Sequence, residues 1–138
     1  MSETRAYLVP QNIVGASWEH VRPFLEQAAD MSGGKYSASD ILNLSMQGYN
    51  QLWLVSDGDE LLAVGATEIY TYPMKKACRV VMLIGHDKKK WVHLLNEEVE
   101  PWAKGHKCNL MQVIGRPAWA RTLTDYKKTQ IVLEKELS

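Results

Sequence analysis

The chain has 138 residues, 46% of them hydrophobic, and its 16 basic and 16 acidic side chains cancel to a formal net charge of zero. That length suits one domain with a real core and is short for two independent ones. A pI near 6.9 argues against general nucleic-acid affinity, and no apolar run approaches the roughly 18 residues needed to cross a bilayer, so the sequence predicts a cytoplasmic protein with no membrane span.

The zero conceals a division. Residues 1–73 hold three basic and nine acidic side chains, while residues 74–138 hold thirteen basic and seven acidic. An anionic ligand is drawn to the second half; alternatively, the halves neutralise each other within one fold or across a homodimer. The two cysteines, Cys78 and Cys108, form no CxxC pair, and Cys78 lies in an apolar stretch, which reads as two reduced, partly buried thiols.

Tyr7-Leu8-Val9-Pro10 reads as a short opening strand that stops at proline. Ser17 precedes a helix with Trp18, Val21, Phe24, Leu25, Ala28 and Ala29 on one stripe; Pro23 makes its regular part begin late or bend. Gly33-Gly34 ends it, and a shorter helix runs from about Ser39. Gln51 to Ser56 is a strand, Asp57-Gly58-Asp59 a tight turn, Glu60 to Tyr70 a second strand. A reversal at Pro73 leads into Ala77 to Ile84, completing an antiparallel meander.

A long helix from about Asp87 puts Trp91, Leu94, Leu95, Val99 and Trp102 on one face, weakened by Pro101 and ended by Gly105. Asn109 to Ile114 then adds a parallel strand through a right-handed crossover. Pro117 opens a helix carrying Trp119, Leu123 and Tyr126. Thr129 to Leu137 alternates Thr129, Ile131, Leu133 and Leu137 against Gln130, Glu134 and Glu136, the pattern of a half-buried antiparallel strand. Trp18, Trp91, Trp102 and Trp119 sit at helical positions suited to core packing, and Trp53 covers one sheet face.

This order of elements, from Tyr7 to Leu137, resembles the GCN5-related N-acetyltransferase (GNAT) superfamily. It implies a single domain at residues 1–138 of α/β (α+β) class: a mixed, mostly antiparallel twisted sheet with helices on both faces. The resemblance also implies a site for acetyl-CoA where the third meander strand meets the long helix. There the backbone of Val81, Met82 and Leu83 would hold the pantetheine arm, and the pyrophosphate would lie at the following turn.

The chain departs from the family at that turn. A loop like Gln/Arg-x-x-Gly-x-Gly/Ala is replaced by His86-Asp87-Lys88-Lys89-Lys90-Trp91, with Gly85 the only glycine nearby. Glycines let backbone amides approach a phosphate, whereas Lys88, Lys89 and Lys90 offer diffuse positive charge at a helix start already positive from the backbone dipole. The family's tyrosine, which protonates the departing thiolate, is also displaced: aligning Lys127-Lys128 on its Gly-Phe pair puts Leu123 there, and Tyr126, three residues and almost one turn on, is the candidate for that catalytic role.

Acetyl transfer needs a group that takes the amine's proton, and Glu68, in a strand row with Ala66 and Tyr70, is the candidate base; exposure at the strand end is the plainer alternative. His86, at a strand end, is either a ligand contact or a structural histidine. The histidines and cysteines show no metal-ligand spacing, so no metal is expected. Gly115 to Leu123 has the form Gly-Arg-x-x-Trp-x-Arg-x-Leu, which resembles small GNAT-like proteins of tailed bacteriophages, often virion-associated. The leading expectation is therefore a degenerate, phage-associated accessory protein that binds a phage structural protein. The alternative is an active acetyl-CoA-dependent N-acyltransferase acting on a primary amine.

Overall fold

The computed structural model describes residues 3–138. Strand β1 (Thr4–Leu8) leads through a 3-10 turn at Gln11–Ser17 into α1 (Trp18–Asp30), followed by α2 (Ala38–Met46). The meander is β2 (Gln51–Asp57), β3 (Glu60–Thr71) and β4 (Lys76–Gly85); then come α3 (Glu100–Gly105), β5 (Leu110–Val113) and α4 (Ala118–Thr122). The sheet order is β1-β2-β3-β4-β5, antiparallel except for the parallel β4–β5 pair. It is the mixed, mostly antiparallel sheet with helices on both faces that the element order implies.

Local chemistry explains the starts and stops. Ser37 caps α2 through a reciprocal box, its hydroxyl accepting from the Asp40 amide at 3.1 Å while the Asp40 carboxylate accepts from the Ser37 amide at 2.9 Å. Ser17 does not cap α1; its hydroxyl donates to the Val14 carbonyl, because the 3-10 turn already delivers the chain in helical conformation. Gly58, at φ +60°, makes the β2–β3 turn.

Helix α1 and α2 bury Val21, Leu25, Ile41 and Leu42 against Leu52, Val64 and Ile84 on one sheet face. The other face, with Trp53, Cys78 and Val80, receives Leu95, Val99 and Ala103. Leu25, Leu52 and Val64 are fully buried, each stabilising by about 1.5–3 kcal/mol.

Two expectations need correcting. The helix after β4 is not one regular α-helix: it is a 3-10 turn at Lys88–Lys90, a π-helical turn at Leu95–Val99, then α3. Pro101 has no N–H to give the carbonyl four residues back, and the wider turn just before it absorbs that loss. Residues 129–137 form no strand; no sheet edge receives them, and their alternating pattern stays unpaired.

Beside this irregular helix, β4 approaches β3 so closely that a Cβ on Gly85 would meet the Leu62 carbonyl oxygen at 2.5 Å and the Ala63 Cα at 2.7 Å. Gly85 therefore serves strand packing, not a phosphate cradle. Gly85→Ala is expected to destabilise the fold by about 2 kcal/mol, read as a lowered midpoint in urea; an unchanged midpoint would show that β4 is loosely held at this end.

Candidate functional site

The site begins with one extra residue. In the β3–β4 ladder Ala66 faces Met82 and Thr67 faces Val80, so Val81 is bulged out of register. The bulge reverses the alternation of side chains: Val80 and Leu83, three apart, both pack on the α3 face, while Met82 and Ile84 pack toward α1 and α2.

At the same point β4 loses its other neighbour. β5 pairs with it only from Ala77↔Leu110 to Val80↔Val113, and the last bond runs from the Ile114 amide to the Val80 carbonyl at 2.9 Å. Met82 to Gly85 keep β3 on one side, and from Val81 onward there is no strand on the other. The sheet is thus forked, with the backbone of Val81, Met82 and Leu83 along one prong.

The far end of that prong runs into the lysine turn. Asp87 takes the left-handed conformation, φ 55°, and the Trp91 indole donates to the His86 carbonyl at 2.7 Å. The three lysines separate there. Lys88 Nζ lies 4.9 Å from the Trp119 ring centroid, Lys90 Nζ lies 3.9 Å from an Asp57 oxygen, and Lys89 is exposed with no ion pair among the described residues. His86 faces Glu60 at 3.8 Å. One carboxylate of the β2–β3 hairpin, that of Asp57, thus offsets part of the charge at this turn.

Trp119 stands at the fork, packed with Leu83 and Trp91. Its seat is Gly115, where a Cβ would meet the indole Cδ1 at 2.9 Å. Leu123 is buried as well. Within the Gly115–Leu123 motif, Trp119 and Leu123 thus pack inward, while Arg116 and Arg121 are exposed.

On the α1–α2 side of the sheet, just before the fork, four polar residues meet. Arg79 donates from Nη1 to Glu68 at 3.3 Å, from Nε to Gln112 at 3.0 Å and from Nη2 to the Tyr72 hydroxyl at 2.8 Å; Gln112 Nε2 donates to the same hydroxyl at 3.1 Å. The guanidinium carbon sits 3.7 Å from the Tyr70 ring centroid, a cation–π contact that holds its plane. Arg79 is 20% and Glu68 33% exposed. The Arg79 and Gln112 bonds lower the Tyr72 hydroxyl's pKa from its usual value.

Sequence reasoning reached Glu68 but missed Tyr72, Arg79 and Gln112, which come from three separate segments. The one available signal was strand alternation: Arg79 lies between the apolar Cys78 and Val80, so it faces away from them.

Tyr126 is in a different situation. It packs against the cluster that contains Cys78, Val99 and Leu123, and its buried hydroxyl has no hydrogen-bond partner. Burial pushes it up to about 12, and burial also pushes the Cys78 thiol up to about 12. Glu68, Tyr72, Arg79 and Gln112 are brought together just before the fork, where β4 and β5 are still paired; Tyr126 does not join their hydrogen-bond network. Among the described residues no cluster of three or more His, Cys, Asp or Glu is arranged to hold a metal, and no helix is long and apolar enough to cross a membrane.

The two raised groups fix an alkaline dependence. In the unfolded chain they ionise near 9 and 10, whereas in the folded protein they stay neutral to about 12. Their contribution is complete below about pH 9 and is lost as pH rises toward 12. The melting temperature should therefore fall steadily over that window. Tyr126→Phe, which removes an unsatisfied hydroxyl, should start about 1 kcal/mol more stable and fall less steeply above pH 10. A variant with the wild-type slope would show that the hydroxyl is hydrated.

No protein-family model matches the chain, and no curated protein matches it in sequence. Solved structures do match. An aminoglycoside acetyltransferase from an uncultured soil metagenomic sample, in complex with sisomicin, superimposes with TM-score 0.70 at 8% identity, over 98% of this chain and 97% of that one. A GNAT family acetyltransferase from Staphylococcus aureus gives 0.67 at 14% identity, over 99% and 100%. Aminoglycoside N-acetyltransferase AAC(6')-Iy in complex with CoA gives 0.69 at 11% identity, over 99% and 96%. At these identities the likeness is one of fold: the chain has the architecture of the GNAT acetyltransferases across nearly its whole length.

Proposed function

We propose that the chain is an acetyl-CoA-dependent N-acyltransferase that moves an acetyl group to a primary amine. The observation that carries this reading is the fork, where β4 continues for five residues past its last bond to β5 and feeds directly into a lysine turn.

The residues present fit the cofactor unevenly. Backbone groups of Val81, Met82 and Leu83 on the open side of β4 suit an extended arm bearing amides, as an added strand would. At the phosphate end Gly85 is committed to β3, so Lys88, Lys89 and Lys90 would contribute charge without a cradle of glycine amides. When bound, acetyl-CoA supplies an acyl carbon activated as a thioester.

Glu68, with one oxygen held by Arg79, takes the proton of the attacking amine. Arg79 fixes the orientation of both Glu68 and Tyr72. Tyr72, whose hydroxyl is held by Arg79 and Gln112, returns a proton to the sulfur as the new C–N bond replaces the C–S bond. Tyr72 thus does the work that family likeness assigns to a tyrosine near Leu123.

A phage-associated accessory protein is the second reading, supported by the Gly115–Leu123 motif. Calorimetric titration with acetyl-CoA separates the two. The transferase reading expects a dissociation constant in the micromolar range, weakened about tenfold or more when Lys88, Lys89 and Lys90 become alanine, since exposed charge pairs contribute up to about 1 kcal/mol each. No heat at millimolar acetyl-CoA would sink it and favour the accessory role.

A thiol-release assay with mixed primary amines tests the chemistry. Glu68→Gln and Tyr72→Phe should each lower kcat by about 100-fold or more while leaving acetyl-CoA binding intact. Wild-type turnover in either variant would remove that residue from the mechanism.

A further inference from the structure

At the edge of the sheet opposite β5, the pairing of β1 stops before β2 does. Its last bond runs from the Val9 amide to the Leu52 carbonyl at 2.8 Å; Pro10 has no N–H to continue the ladder, and the chain turns into the 3-10 segment. Gln51, the first residue of β2, pairs with Thr67 of β3 and has no strand on its other side. The space left there is a cleft of about 340 Å3, at the lower end of the ~300–1,000 Å3 typical of small-molecule sites. Val9, Pro10 and Leu52 give it apolar walls, and Trp102 and His106 reach it from the end of α3.

Its polar lining is rich in groups left without partners. Asn50 is only 9% exposed, and its side-chain amide has no hydrogen bond among the described residues. Gln51 accepts at Oε1 from the Thr67 hydroxyl at 2.9 Å and keeps its own N–H donors. Gln11 lies across Gly48, donates from Nε2 to the Met46 carbonyl at 3.0 Å and keeps Oε1 as an acceptor. His106 Nδ1 sits 3.0 Å from the Trp102 carbonyl, which leaves Nε2 of the neutral ring as an acceptor. Ser45, in the wall beside them, has a buried hydroxyl with no partner. No lysine, arginine, aspartate or glutamate among the described residues lines the cleft.

We propose that this cleft binds an uncharged sugar of mono- or disaccharide size, at a site separated from the fork by the width of the sheet. Hydroxyl groups donate and accept, as side-chain amides do, so one ring of hydroxyls can engage Asn50, Gln51, Gln11 and His106 together. The ring's C–H face has apolar surface to lie on at Val9 and Pro10. An anion finds no cation here and an ammonium group no carboxylate, so a charged ligand would lose its hydration without compensation. A flat base finds no slot between rings, because Trp102 is already packed by His106 at 4.3 Å and by Trp53 at 5.3 Å between centroids.

NMR titration of the isotope-labelled full chain with glucose, maltose and myo-inositol tests this, with glucosamine and gluconate as charged counterparts. Saturable shifts are expected in the Asn50 and Gln51 side-chain amides and the Trp102 indole N–H, with dissociation constants in the millimolar range or below, and weaker binding of both charged compounds. Asn50→Leu should weaken binding about tenfold or more, since it removes a donor and an acceptor together. Gln11→Met, at an exposed position, serves as the second variant where Asn50→Leu lowers the melting temperature. Absence of saturable shifts with all three neutral compounds, wild-type affinity in the variants, or tighter binding of glucosamine than of glucose would overturn the proposal. No readout involves acetyl-CoA, so the result is independent of whether the fork binds it.

Discussion

Strand β4 is asked to serve two neighbours that fit it differently, and the rest of the molecule follows from how it does so. β3 holds it from Lys76 to Gly85, whereas β5 holds only Ala77 to Val80. The bulge at Val81 lies where the second partner leaves. Were Val81 paired in regular alternation instead of bulged, Leu83 would turn toward α1 and α2, away from Trp91 and Trp119, and Met82 and Ile84 would lose their place against Val64 and Leu25. Both cores are thus in register because a single residue is out of it. The open edge of β4 begins at the same residue, where β5 ends at Val113, so the change of packing register and the fork coincide.

Charge follows a similar economy. The acidic first half and basic second half meet as pairs across the fold: Lys90 with Asp57, Arg79 with Glu68, and, in the reverse sense, Arg5 with Glu98 and Lys35 with Glu134. Most are exposed and contribute at most about 1 kcal/mol each. Arg79 differs because every arm of its guanidinium is engaged and Tyr70 covers its face. The ordered electrostatic centre is therefore at the base of the fork, while the lysine turn, partly neutralised by the β2–β3 hairpin, supplies attraction without shape.

What could be read from the sequence was set by how local each interaction is. The Asp57-Gly58-Asp59 turn, the meander and the crossover to β5 all depend on neighbours a few residues apart or on simple alternation, and they stand as the pattern implied. Three features did not follow from spacing. The π-helical turn arises from a proline inside an otherwise helical stripe, where pattern gives no sign of a wider turn. Gly85 could be taken for a remnant of a phosphate loop until the approach of Ala63 is seen. The alternation after Thr129 specifies a strand but not its partner, and a strand without a partner does not form.

Two tyrosines show why position in sequence is a poor guide to proton chemistry. Tyr126 lies three residues beyond the position where family likeness looks for an acid, and its hydroxyl is buried with no partner, so desolvation drives its pKa upward. Tyr72 lies at a hairpin that likeness does not mark, yet Arg79 and Gln112 both donate to its oxygen and its pKa moves downward. A phenol gives up a proton readily when something stabilises the oxygen left behind. Only one of these two sites provides that, and it is joined through Arg79 to the carboxylate of Glu68. If the fork carries out acyl transfer, the proton donor and acceptor are then set on one rigid floor of β3, β4 and β5 rather than brought in by the helix that follows them.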